Sequence, residues 1–83
     1  MTTHELKTNP AYFQAVVEGR KTFELRVNDR NCQVGDVLDL REWDPTTRQY
    51  TGRSVQRCVT YLLAGPTWGL QEGLVFLSLG ALA

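Results

Sequence analysis

The apolar pattern of this chain changes period once, at Gly19, and that change limits the folds open to it. Before Gly19, the residues Tyr12, Phe13, Val16 and Val17 recur at i, i+1, i+4 and i+5, which is one face of a helix. Asn9-Pro10 reads as an N-cap followed by proline at the first helical position. Gly19 suits a left-handed helix end, so the pattern predicts a helix over about residues 10–18. After Gly19 the period is two. Phe23, Leu25 and Val27 are expected to face the core, with Thr22, Glu24, Arg26 and Asn28 as a polar row on the opposite face.

The rest of the chain reads as strands and turns. His4 to Lys7 is a short strand. Val34-Gly35-Asp36 is a turn that opens a strand from Val37 to Trp43, with Leu38 and Leu40 inward. Asp44 to Tyr50 is a hairpin loop, because aspartate and proline suit its first positions. A long strand follows from Tyr50 or Thr51 to Leu63, bent near Gly52, with Val55, Val59, Tyr61 and Leu63 on one face. Gly65 to Gly69 breaks the chain and leaves room for a second helix a turn long. Leu74 to Leu79 is nearly all apolar and suits a strand buried on both faces. Residues 1–83 therefore read as one α+β domain of about five strands and one or two short helices. That many strands in so short a chain favour a small β-barrel, closed or nearly so, because closure removes exposed edges.

Charge narrows the function. Formal net charge is zero, which argues against coating duplex nucleic acid and leaves open a pocket for one nucleotide or a short single strand. The balance is uneven along the chain. Arg20, Lys21, Arg26 and Arg30 outweigh Glu24 and Asp29, whereas Asp36, Asp39, Glu42 and Asp44 outweigh Arg41. No apolar run approaches the ~20 residues of a membrane span, and the N-terminus lacks a basic and apolar leader, so a cytoplasmic location is expected. Cys32 and Cys58 then read as reduced thiols. One histidine and no C-x-x-C give no zinc set, and no metal or cofactor is expected.

Six charged side chains between Arg20 and Arg30 are too many for a strand that only packs a core. Gly19-x-Lys21-x-x-Glu24-x-Arg26, followed by Val34-Gly35-Asp36, resembles the G-x-K-x-x-E-x-R pattern of the ASCH domain, in the PUA-like superfamily. The flanks His4-x-Leu6-Lys7, Tyr12-Phe13, Asn28-Asp29-Arg30 and Leu40 to Asp44 resemble a small bacterial and phage ASCH-like family of undefined function. The resemblance runs from His4 to about Leu79. It implies a PUA-like pseudo-barrel with a cleft between helix and barrel, and a role in binding RNA or nucleotides. Some small ASCH proteins remove the acetyl group of N4-acetylcytidine through a motif similar to G-R-K-T-x-T-x-R. Lys21 falls on their catalytic lysine, and Glu24 stands where they have threonine, a departure that favours binding over hydrolysis.

The candidate ligand-binding residues are accordingly Lys7, Lys21, Glu24, Arg26 and Arg30; if the protein is an amidohydrolase, Lys21 and Glu24 are catalytic. Arg26 offers a planar fork for phosphate or a base edge. Glu24 can accept from an exocyclic amine or orient Arg26. Neighbouring cations and Glu24 act in opposite senses on the charge of Lys21, a residue suited to base or nucleophile chemistry when neutral. The plain alternative is a solvated Lys–Glu–Arg strand edge. His4 is a further candidate for the cleft, and Trp43, Tyr50 and Trp68 for base stacking. Glu42 and Asp44 read as a solvated face, and the apolar tail Leu79 to Ala83 as a surface for self-association.

Overall fold

The computed structural model describes residues 1–82. Its elements are β1 (Thr3–Thr8), α1 (Pro10–Val17), β2 (Phe23–Val27), β3 (Val37–Asp44), β4 (Gln49–Ala64) and β5 (Leu74–Gly80). One mixed sheet has the order β1-β3-β4-β5-β2, with β1 parallel to β3 and every other pair antiparallel. The sheet curls into a half-barrel, so the expected α+β class and barrel-like curvature hold, with the barrel left open along one side. β1 and β2 remain as its two edges. The inner face and α1 enclose Leu6, Val16, Cys32, Leu38, Leu40, Val59, Val75 and Leu77.

Helix α1 forms for the reasons read in its sequence. Asn9 Oδ1 accepts the Ala11 N–H at 2.9 Å, and Gly19 adopts φ +81° beyond the last turn. Its apolar stripe is narrower than its periodicity. Phe13 and Val16 are buried, whereas Tyr12 and Val17 are exposed. A helix of eight residues rests on β3 along one line, and the flanks of the stripe stay outside.

Two facings are the reverse of those expected. In β2 the apolar residues Phe23, Leu25 and Val27 are exposed, and Glu24 and Arg26 turn inward. Alternation fixes which residues share a face, but not which face is inside. The inner side of β2 borders an open cleft, where a charged row finds ionic partners. In β4, Val55 and Val59 face the core, and Tyr61 and Leu63 face out. A register shift between Val59 and Tyr61 inserts one residue and exchanges the faces. The bend near Gly52 is present, with φ +93° and a second register shift opposite Glu42. β5 is flanked by strands on both sides but buries only its inward residues, Val75 and Leu77.

No second helix forms after β4. Trp68 and Gly69, at φ +46° and +81°, make a tight turn closed by reciprocal backbone hydrogen bonds between Thr67 and Leu70. No helix among the described residues is long and apolar enough to cross a membrane.

Candidate functional site

The two free edges of the half-barrel face each other across a cleft. β1 and the start of α1 form one wall, and β2 with the Asp29–Arg30 turn forms the other. Three depressions of about 240, 280 and 290 Å³ run along it and share lining residues. They are lined from one end to the other by Arg30, Arg26, Leu25, Glu24, Tyr12 and Lys21.

Arginines span the gap where strand pairing fails. Arg30 Nη1 donates to the Glu5 carbonyl at 2.9 Å, and Arg26 Nη1 to the Lys7 carbonyl at 3.5 Å. Side chains thus satisfy carbonyls along the open edge of β1 that no neighbouring strand reaches. They also bring two guanidinium groups to the cleft.

Lys21 is positioned by the helix end. The N–H groups of Arg20 and Lys21 both donate to the Ala15 carbonyl, which turns the chain sharply into β2. Lys21 Nζ then donates to Glu24 Oε1 at 3.0 Å and to the Phe23 carbonyl at 2.8 Å. The ammonium also lies 5.7 Å from the ring centre of Tyr12, on the opposite wall. Glu24 is only 6% exposed. Its Oε2 finds no hydrogen-bond donor among the described residues, although Arg26 Nη1 stands 3.5 Å away. A buried carboxylate oxygen without a donor is costly, and such atoms collect at binding and catalytic sites.

The structure brings Lys21, Glu24, Arg26 and Arg30 together and sorts the other candidates. Lys7 gives the cleft its carbonyl, while its ammonium lies 4.0 Å over the Trp43 ring on the outer face. Arg20 turns away to Glu18. Trp43 packs edge-on against Tyr50, and Trp68 is fully exposed on its turn. Tyr12 and Asn9, which were not among the candidate ligand-binding residues, line the cleft; the exposed side of the narrow helix stripe is what delivers the tyrosine. Glu42, read as solvated, is buried and accepts from Thr51 Oγ1 at 2.7 Å beneath the β4 bend. No three His, Cys, Asp or Glu side chains converge as a metal-ligand set among the described residues.

His4 does not reach the cleft. It is buried, and its Nε2 donates to Asp36 Oδ2 at 2.8 Å. That contact, with the backbone N–H groups of Gln33 and Thr2, holds the Asp36 carboxyl below the usual aspartate range. The network fastens the turn before β3 to β1. Cys32 and Cys58 are free thiols, and burial, then the charge of Asp36, pushes the Cys32 thiol up. A fourth depression, about 150 Å³, lies on the β3–β4 hairpin beside Arg41 and Arg53. Both arginines are already paired, with Asp39 and Glu5 and with Glu42 respectively.

Residues 3–79 match the family described as a domain of unknown function, DUF3850. The chain is also 44% identical over 57 residues to a protein of Escherichia phage P2 described as an "Uncharacterized 12.9 kDa protein in GpA 3'region". That match covers 69% of this chain and 50% of the phage protein, so the chain spans about half the length of the curated relative it matches. With the family match running from the first residue of β1 to the penultimate residue of β5, cleft included, the chain belongs to the DUF3850 family.

Proposed function

We propose that the cleft binds a nucleotide, a modified nucleoside or a short RNA, and that the domain is an ASCH domain of the PUA-like superfamily. The G-x-K-x-x-E-x-R motif and the cleft between one helix and a curled five-stranded sheet support the assignment. The observation that carries the binding reading is Glu24 Oε2, an acceptor buried at the cleft wall with no hydrogen-bond donor and only Arg26 Nη1 nearby, at 3.5 Å. A nucleobase with an exocyclic amine supplies the donor it lacks. Arg26 and Arg30 supply donors for phosphate or base oxygens, and the exposed Tyr12 ring supplies a stacking surface.

Titration of the protein with the four nucleoside monophosphates and with short single-stranded RNA tests this reading. Arg26→Ala is expected to weaken binding at least about tenfold while leaving the circular dichroism of the folded protein unchanged. Binding that survives the substitution puts the site elsewhere.

The 3.0 Å contact between Lys21 Nζ and Glu24 Oε1 favours a second reading, hydrolysis of an acylated nucleoside amine such as N4-acetylcytidine. A lysine and a carboxylate in contact form a proton-transfer pair: water adds to the acyl carbon, the amine leaves with a proton, and acetate is released. Incubation with N4-acetylcytidine separates the two readings. Wild-type turnover no faster than that of Lys21→Ala excludes hydrolysis.

A further inference from the structure

The two arginines of the cleft stand at a regular interval. Their partners, the carbonyls of Glu5 and Lys7, are two residues apart on β1, and alternate carbonyls of a strand point the same way. The strand repeat therefore sets the two guanidinium groups about 6.8 Å apart. Glu24 and Arg26 are also two residues apart, on β2, and share its inner face. Glu24, Arg26 and Arg30 thus follow one another along the cleft in steps of similar length.

Both arginines keep donors free. A guanidinium has more N–H groups than one carbonyl can use, and among the described residues each of these two donates a single hydrogen bond. The nearest carboxylates stand off, Glu24 Oε2 at 3.5 Å from Arg26 Nη1 and Asp29 Oδ1 at 3.8 Å from Arg30 Nε. Arg41, by contrast, is held between Asp39 at 2.9 Å and Glu5 at 3.2 Å. Lys21, the third cation of the cleft, is committed to Glu24 and the Phe23 carbonyl. The cleft is open at its Arg30 end, where the side chains of Arg30 and Asp29 are 47% and 70% exposed.

We propose that the cleft holds a single strand of nucleic acid across two consecutive phosphates, one on Arg26 and the next on Arg30, with a base beside Glu24 and Tyr12. The inference rests on the nucleotide-binding reading of the cleft and narrows its ligand from a free nucleotide to a linked chain. Shape and spacing select the chain. A site for a free small molecule buries most of its ligand, whereas a groove that tracks a strand stays open where the strand leaves it. The two phosphates of a nucleoside diphosphate share an oxygen atom and lie closer together than these guanidinium groups do. Successive phosphates of an extended strand are separated by a sugar, which matches one strand repeat.

The test is the affinity of the full chain, by calorimetry, for a length series. It runs from adenosine and cytidine monophosphates to the terminally phosphorylated dimers and trimers of each, in ribose and in deoxyribose form. From one phosphate to two, affinity is expected to rise at least about tenfold in the series that binds. A dimer whose linking phosphate is replaced by an uncharged methylphosphonate is expected to lose that gain. Arg30→Gln is expected to lose it too, and to flatten the slope of log K against log salt on a long single strand by about 0.7. Should Arg30→Gln fail to fold, the methylphosphonate decides the matter with the wild-type protein. Monophosphates that bind as tightly as dimers, one phosphate being clamped by both arginines, overturn the proposal and leave the nucleotide reading standing. Absence of binding by every member of the series overturns both. A gain with length that survives the neutral linkage, or survives Arg30→Gln in folded protein, puts the second contact elsewhere and overturns the proposal too.

Discussion

Lys21 and Glu24 show how one carboxylate shapes both stability and chemistry. The pair is nearly buried, so its two members are not equivalent to remove. Lys21→Ala strips Glu24 Oε1 of its donor, leaves the carboxylate only Arg26 Nη1 at 3.5 Å, and is expected to cost about 2 kcal/mol. Glu24→Gln removes the charge but keeps a carbonyl for Lys21, and is expected to cost under about 1 kcal/mol. Urea unfolding of the two variants checks the ordering, and equal losses would mean the pair is effectively solvated. Asp36 provides a pH prediction. Its carboxyl sits below the ordinary value of 3.8, so between the two values the unfolded chain binds more protons than the folded one. The stability it contributes is therefore present above about 3.8 and is lost as pH falls through the folded value. Asp36→Asn is expected to be less stable at neutral pH and to lose less on acidification; parallel stability curves for the two proteins would refute this. The motif residues were legible because charge on a strand is conspicuous. Tyr12 was not, because an aromatic residue at helical spacing reads as core until the width of the contact is known.

At the scale of elements, the extent of α1 and its cap were legible to within a residue, because capping is local chemistry. Asn9→Ala removes the bond to the Ala11 N–H and is expected to lower stability by about 1 kcal/mol, measured as a fall in the urea midpoint. The strands were legible in existence and period but not in facing. β2 alternates as the sequence says, with its sides exchanged, because its inner neighbour is a cleft lined by charge rather than a core. In β4, one inserted residue at Thr60 separates Val59, inside, from Tyr61, outside. Deleting Thr60 removes the insertion, drives Tyr61 and Leu63 inward and is expected to abolish cooperative unfolding. A Thr60 deletion with a sharp, wild-type-like transition would show that the sheet tolerates either facing.

At the scale of the whole molecule, the half-barrel has one continuous seam, held by two arginines instead of a strand ladder. The backbone bonds of β3, β4 and β5 lie between neighbouring strands, while β1 and β2 each have one open side. Native-state hydrogen exchange is expected to protect β3, β4 and β5 most, with the outward amides of β1 and β2 exchanging faster. Uniform protection across all five strands would indicate that the seam is closed in solution. The sequence by itself determined the inventory: one capped helix, five strands, and a charged motif at the helix exit. Those features rest on period, capping and turn chemistry, which act over a few residues. Only the tertiary structure decided that the sheet stays open, that the motif's charges face into the opening while its apolar residues face out, and that His4 serves Asp36 rather than the cleft. Those outcomes depend on which strands become edges and what lies opposite each face, and residues far apart in the chain settle both.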